Sequence, residues 1–107
     1  MKDAFFLGDS RKRIIDFPAD VKREAGHQIS RVQAGMEPND WKPMPTIGAS
    51  VKEIRINIMG AFRVIYLATL PDNVYVIHAF QKKTPRTSKV DIDLAKNRFK
   101  QLMELKK

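Results

Sequence analysis

Cysteine is absent from this chain of 107 residues, which excludes a disulfide framework, a thiol nucleophile and thiolate ligands for zinc. Histidine occurs only twice, as His27 and His78. The two are far apart and lack ligand spacing, so neither a metal centre nor any other cofactor is expected. No apolar run approaches the roughly 20 residues that span a bilayer, and the first residues lack the apolar core of a secretion signal. The expectation is therefore a cytoplasmic protein with no membrane partner. A Gly-rich phosphate loop, a Ser-His-Asp set and paired carboxylates in a recognisable context are missing too. Acidic residues are the scarcer charge, with 12 Asp and Glu against 20 Lys and Arg, a net charge of +8 and a pI near 10.0. Small domains this basic bind nucleic acid, anionic membrane or an acidic protein. Hydrophobic residues at 43% and charged ones at 30% fit a folded chain, and the length suits one domain over residues 1–107.

The segments read as follows. Ala4-Phe5-Phe6-Leu7, closed by Gly8, is a first or edge strand. Asp9-Ser10 caps a brief helix to Asp16, and Pro18 opens a longer one on which Val21, Ala25, Ile29 and Val32 share a face. Gly35 ends that helix. A breaker-rich loop then runs to Ser50 and holds Trp41, which either pins the loop to the core or offers a stacking surface for a base. Three strands follow, about Val51 to Ile58, Ala61 to Leu70 and Asn73 to Phe80, with Met59-Gly60 and Pro71-Asp72 at turn positions. Ile54, Ile56 and Ile58 alternate with Glu53, Arg55 and Asn57, which predicts one covered face and one polar working face. A last helix begins after Pro85, capped by Thr87 or Ser88, with Asp91 and Asp93 in its first turn. The fold class is α+β: a small antiparallel sheet of about four strands with N-terminal helices and a C-terminal helix packed on it.

The unusual feature is cationic charge inside strand-like segments. Arg55 and Arg63 sit within β-branched and aromatic runs, where charge is disfavoured. They either bind a phosphate or settle in ion pairs, Glu53 with Arg63 for example. His78, between Val76 and Phe80, is either a neutral core histidine or a general acid or base. Lys82 and Lys83 follow the third strand and, with Arg86, form either a solvated charge run or the continuation of an anion-binding surface.

These residues carry a resemblance. Glu53-Ile54-Arg55, Phe62-Arg63-Val64-Ile65-Tyr66 and the run from Val76 through His78-Ala79-Phe80-Gln81-Lys82-Lys83-Thr84 to Pro85 resemble the RelE/ParE toxin superfamily, in its phage-derived, HigB-like branch. Trp41-Lys42-Pro43 and Ile92-Asp93-Leu94-Ala95-Lys96 add to the likeness. It implies the toxin of a type II toxin–antitoxin module. Such a toxin is a metal-independent endoribonuclease that cleaves mRNA on the ribosome, the 2′-hydroxyl attacking the adjacent phosphate to leave a 2′,3′-cyclic phosphate. Carried over by position, Arg55 and Arg63 contact the scissile phosphate, Lys82 and Lys83 supply charge and proton transfer, and His78 is an acid/base candidate. Lys52, Arg86, Lys89 and Trp41 complete the RNA-contact set. The implied partners are mRNA, the ribosome and a cognate antitoxin of helix-turn-helix type. Two other functions stay open: a ParE-like inhibitor of DNA gyrase, and a non-catalytic RNA-binding domain.

Overall fold

The computed structural model describes all 107 residues. The elements in order are β1 (Asp3–Phe6), α1 (Ser10–Ile15), α2 (Ala19–Gln33), β2 (Trp41–Pro43), β3 (Lys52–Asn57), β4 (Ala61–Leu67), β5 (Asn73–Lys82) and α3 (Lys89–Leu105). The five strands form one sheet in the order β1-β5-β4-β3-β2. β1 lies parallel to β5, and every other neighbouring pair is antiparallel. The α+β class and the antiparallel meander of β3, β4 and β5 agree with the sequence reading. The meander is tied by a tight turn in which Met59 (φ 52°) and Gly60 (φ 128°) both take positive φ, as strand twist at a short hairpin demands.

Two expectations change. The breaker-rich loop contains a fifth strand, β2, which exists by pairing Trp41, Lys42 and Pro43 with Ile54, Glu53 and Lys52. The sheet is also covered on both faces. On the first face α1 and α2 bring Ile14, Val21, Ala25, Ile29 and Val32 onto Ile54, Ile56, Phe62, Val64 and Val76. On the second, Ala95 and Leu102 of α3, with Met44, Ile47 and Val51 from the segment after β2, pack on Ile65, Leu67, Tyr75, Ile77 and Phe80. β4 and β5 are apolar on both sides and so need both covers, whereas β3 alone shows the one-sided alternation. What α3 leaves uncovered on the second face is its cationic end.

A bulge shapes that end. Ile65 pairs with His78 while Tyr66 pairs with Val76, so Ile77 is an extra residue. Ile77 joins the α3-side core and His78 also meets α3. Bulges turn side chains in this way.

Candidate nucleic-acid interface

Strand alternation and register decide which charges meet. On β3, Glu53 and Arg55 point to the second face while Ile54 and Ile56 enter the first core. Arg55 stands directly opposite Arg63, Lys42 opposite Glu53, and Lys82 opposite Ala61, in the same direction as Arg63. Like charges facing each other across a ladder destabilise a sheet, so the Arg55–Arg63 pairing has no structural rationale of its own.

Arg63 is the deep member of the group. Its side chain is 5% exposed, and its Nε lies 3.5 Å from Oε1 of Glu53, which is 1% exposed. Nη1 of Arg63 donates to Oδ1 of Asn57 at 3.3 Å and to the Phe62 carbonyl at 2.9 Å. The pair is incompletely bonded: both carboxylate oxygens of Glu53 and Nε of Arg63 are buried without a hydrogen bond. Burial pushes the Glu53 carboxyl above its ordinary range, opposed by the positive charges of Lys42, Arg63, Lys82 and Arg55. One buried carboxylate thus lies within the field of four cations supplied by four different strands.

The cations near the surface differ in how they are partnered. Lys52 is bonded to both Glu37 oxygens at 3.0 Å, and Lys89 pairs with Asp93 at 2.7 Å. Lys42, Arg55, Lys82, Lys83 and Arg86 have no carboxylate within ion-pair distance. Lys82 and Lys83, with Phe80, Gln81, Thr84, Ser88 and Asp91, line a cleft of about 190 Å³ between the end of β5 and the start of α3. A larger hollow of about 250 Å³ opens on the α2 side, lined in part by Lys2, Glu37, Lys52 and Tyr66. It gathers no unpaired charge, because Lys2 is bonded to the carbonyls of Ala68 and Leu70 and Lys52 to Glu37.

His78 is wholly buried. Its Nε2 lies 2.7 Å from Oδ1 of Asp91, and its Nδ1 lies 3.4 Å from Nη1 of Arg98. A guanidinium can only donate, so Nδ1 accepts, the ring proton sits on Nε2, and Nε2–H donates to Asp91. Burial lowers the tendency of His78 to take a second proton, against the pull of Asp91 and with the help of Arg13 and Arg98. The network extends outward. Arg98 donates to the Ile77 carbonyl at 3.0 Å and to Oδ1 of Asp9 at 2.6 Å, and Arg13 holds the other oxygen of Asp9 at 2.9 Å. These two arginines take the Asp9 carboxyl down to about 2. At the far end, Ser88 accepts from the Asp91 backbone N–H and donates to Oδ2 of Asp91, capping α3. His78 therefore anchors α3 to the sheet and offers no surface to a substrate.

The sequence-derived set divides accordingly. Arg55, Arg63, Lys82 and Lys83 share the second face and its edge, with Arg86 in the exposed turn beyond. Lys89 lies in the first turn of α3, spent on Asp93. Trp41 and Lys52 stand together on the opposite face, the Lys52 ammonium 4.4 Å from the Trp41 ring centre. Lys42, and Asp91 and Arg98 as the two partners of His78, escaped the sequence reading. A strand of three residues has no visible alternation, and Asp91 read only as a helix-start anion.

A sequence profile of the phage-derived protein Gp49-like family (DUF891) matches residues 12–100. The chain belongs to this family. In this Gp49-like chain the matched span holds β2 through β5 and most of α3, hence every cation of the second face. Asp9, the outer partner of Arg98, lies just before it. A search among curated proteins found no match.

Proposed function

We propose that this Gp49-like protein is a toxin of the RelE/ParE kind, in the HigB-like branch, and an endoribonuclease that cuts mRNA on the ribosome. The observation that carries the reading is the placement of Arg55 and Lys82 on one face of the sheet, with Lys83 beside Lys82 in the cleft and Arg86 in the turn beyond, none of them in an ion pair. Unpaired cations occur elsewhere too, Lys22 on α2 for example, but here several share one face and remain available to an anion. In this reading the RNA 2′-hydroxyl gives its proton to water as its oxygen attacks the neighbouring phosphorus, and the bond to the 5′-oxygen breaks. A 2′,3′-cyclic phosphate and a free 5′-hydroxyl result. Arg55, the exposed arginine, pairs with the phosphate oxygens as charge builds on them. Lys82 or Lys83 donates the proton that the leaving 5′-oxygen takes up. Arg63 stands behind Arg55 and holds the local field positive. The cognate antitoxin, a protein with a helix-turn-helix domain, would cover this face, and the activity would be cytoplasmic.

Induced expression in bacterial cells with mapping of RNA 5′ ends tests the reading. Growth arrest with new 5′-hydroxyl ends within messages is the expected result, and Arg55→Ala should lower cleavage by roughly 10²-fold, the scale of one charge-stabilising donor. Arrest with intact messages and damaged DNA would instead mark a gyrase poison. Absence of arrest would leave a binding domain.

A further inference from the structure

Lys42 plays no part in the cleft described above, yet the sheet register sets it in line with the cleft. Going from β2 to β5, Lys42 lies in the row of Glu53, Arg55 and Arg63 occupy the next row on that face, and Lys82 lies one row beyond, opposite Ala61. Strands are about 4.8 Å apart and same-face residues about 6.7 Å apart along a strand, so these positions form a diagonal roughly 20 Å long. All of them face away from α2. Lys42 has neither an ion pair nor a side-chain hydrogen bond, although Glu53 is its cross-strand neighbour. The Glu53 carboxylate beneath it is buried, while Lys42 itself is only half-buried and near enough for its charge to act on Glu53. Arg63 is buried, so at the surface the diagonal is a single file of Lys42, Arg55 and Lys82.

We infer that Lys42 is a phosphate-contact residue at the far end of a track for one strand of RNA, running from the Lys82–Lys83 cleft across the sheet to β2. The inference rests on the ribonuclease reading for the identity of the nucleic acid, and on the register alone for the path. A single file one residue wide follows one backbone; a duplex presents two. The track places the nucleotides beyond the scissile phosphate against β2. Lys42 then contributes to affinity evenly over all base sequences, since an ammonium on a phosphate reads no bases.

The test uses the full chain and a fluorescent 2′-O-methyl RNA about a dozen nucleotides long, which lacks the attacking hydroxyl and is bound without being cut. Binding is followed by anisotropy over a fourfold range of salt. For about four phosphates neutralised, the slope of log affinity against log salt is expected near −3. Lys42→Gln should weaken binding about fivefold and reduce that slope by about 0.7, independent of base sequence. Lys22→Gln removes one equally unpaired, exposed lysine on α2 and should change neither. A Lys42→Gln protein that binds with wild-type affinity and slope, while Arg55→Ala binds weakly, overturns the track and leaves the cleft intact. Tighter binding of duplex than of single strand by the wild type also overturns it. A wild type that binds single strands through Lys42 but cuts no message in cells keeps the track and removes the ribonuclease reading.

Discussion

Truncating Arg63 is expected to be first a stability event, and its size follows from the pair it breaks. The side chains of Arg63 and Glu53 are both almost fully buried and 3.5 Å apart. Arg63→Ala leaves the Glu53 carboxylate buried, with both oxygens still lacking a hydrogen bond. Removing one partner of a buried ion pair costs about 3–5 kcal/mol, which for a domain of this size lowers Tm by roughly 15–30 °C. The sign of the pH dependence is fixed by Glu53. Its folded carboxyl is already raised by burial, so its contribution to stability is present at acid pH and lost as pH rises through the folded value. Without Arg63 that value rises further, and the deficit of Arg63→Ala should grow between about pH 4 and pH 7. The double variant Glu53→Leu with Arg63→Met removes both charges and should regain most of the loss, because buried pairs exchange for apolar side chains at little cost. Urea unfolding at both pH values of Arg63→Ala, and of the wild type, Glu53→Leu, Arg63→Met and the double variant as a double-mutant cycle, measures this. An Arg63→Ala protein less stable by under about 1 kcal/mol, or equally destabilised at both pH values, would refute the reasoning. The same measurements decide how a non-toxic Arg63→Ala protein is interpreted: as loss of the phosphate field only if its fold survives.

Three other outcomes are expected. His78 has a lowered folded pKa, so its contribution is present above the unfolded value of about 6.5 and lost as pH falls through the folded value; His78→Gln should flatten that part of the pH–stability curve, as thermal melts across it would show. Gly8→Ala should destabilise by about 2 kcal/mol, since Gly8 has φ +53° and an added Cβ would meet the Arg98 guanidinium at 2.5 Å; denaturant melts give the value, and a neutral Gly8→Ala would mean that Arg98 is not held in place. Ser88→Ala should cost about 1 kcal/mol by uncapping α3, with the loss visible in the same denaturant melts and little change in the unfolding slope.

Much of the protein is written locally. The helical repeat of Val21, Ala25, Ile29 and Val32, the twofold repeat of Ile54 and Ile56, and the turn at Met59-Gly60 each lie within a few residues, and the structure realises all three. The same local pattern put Glu53 and Arg55 on a side away from Ile54 and Ile56. Periodicity could not show which charges find partners, because partnering joins residues far apart in the chain. Lys52 and Lys42 look alike in sequence, but β2–β3 pairing puts one against Trp41 and Glu37 and the other beside Glu53 on the opposite face. His78 read as core or catalyst until the bulge at Ile77 turned it toward α3, where Asp91 and Arg98 arrive from 13 and 20 residues away. Local composition therefore determined the elements and their apolar faces. Tertiary packing alone decided which cations are left unpaired, since an ion pair depends on distance in space and the chain records only distance along itself.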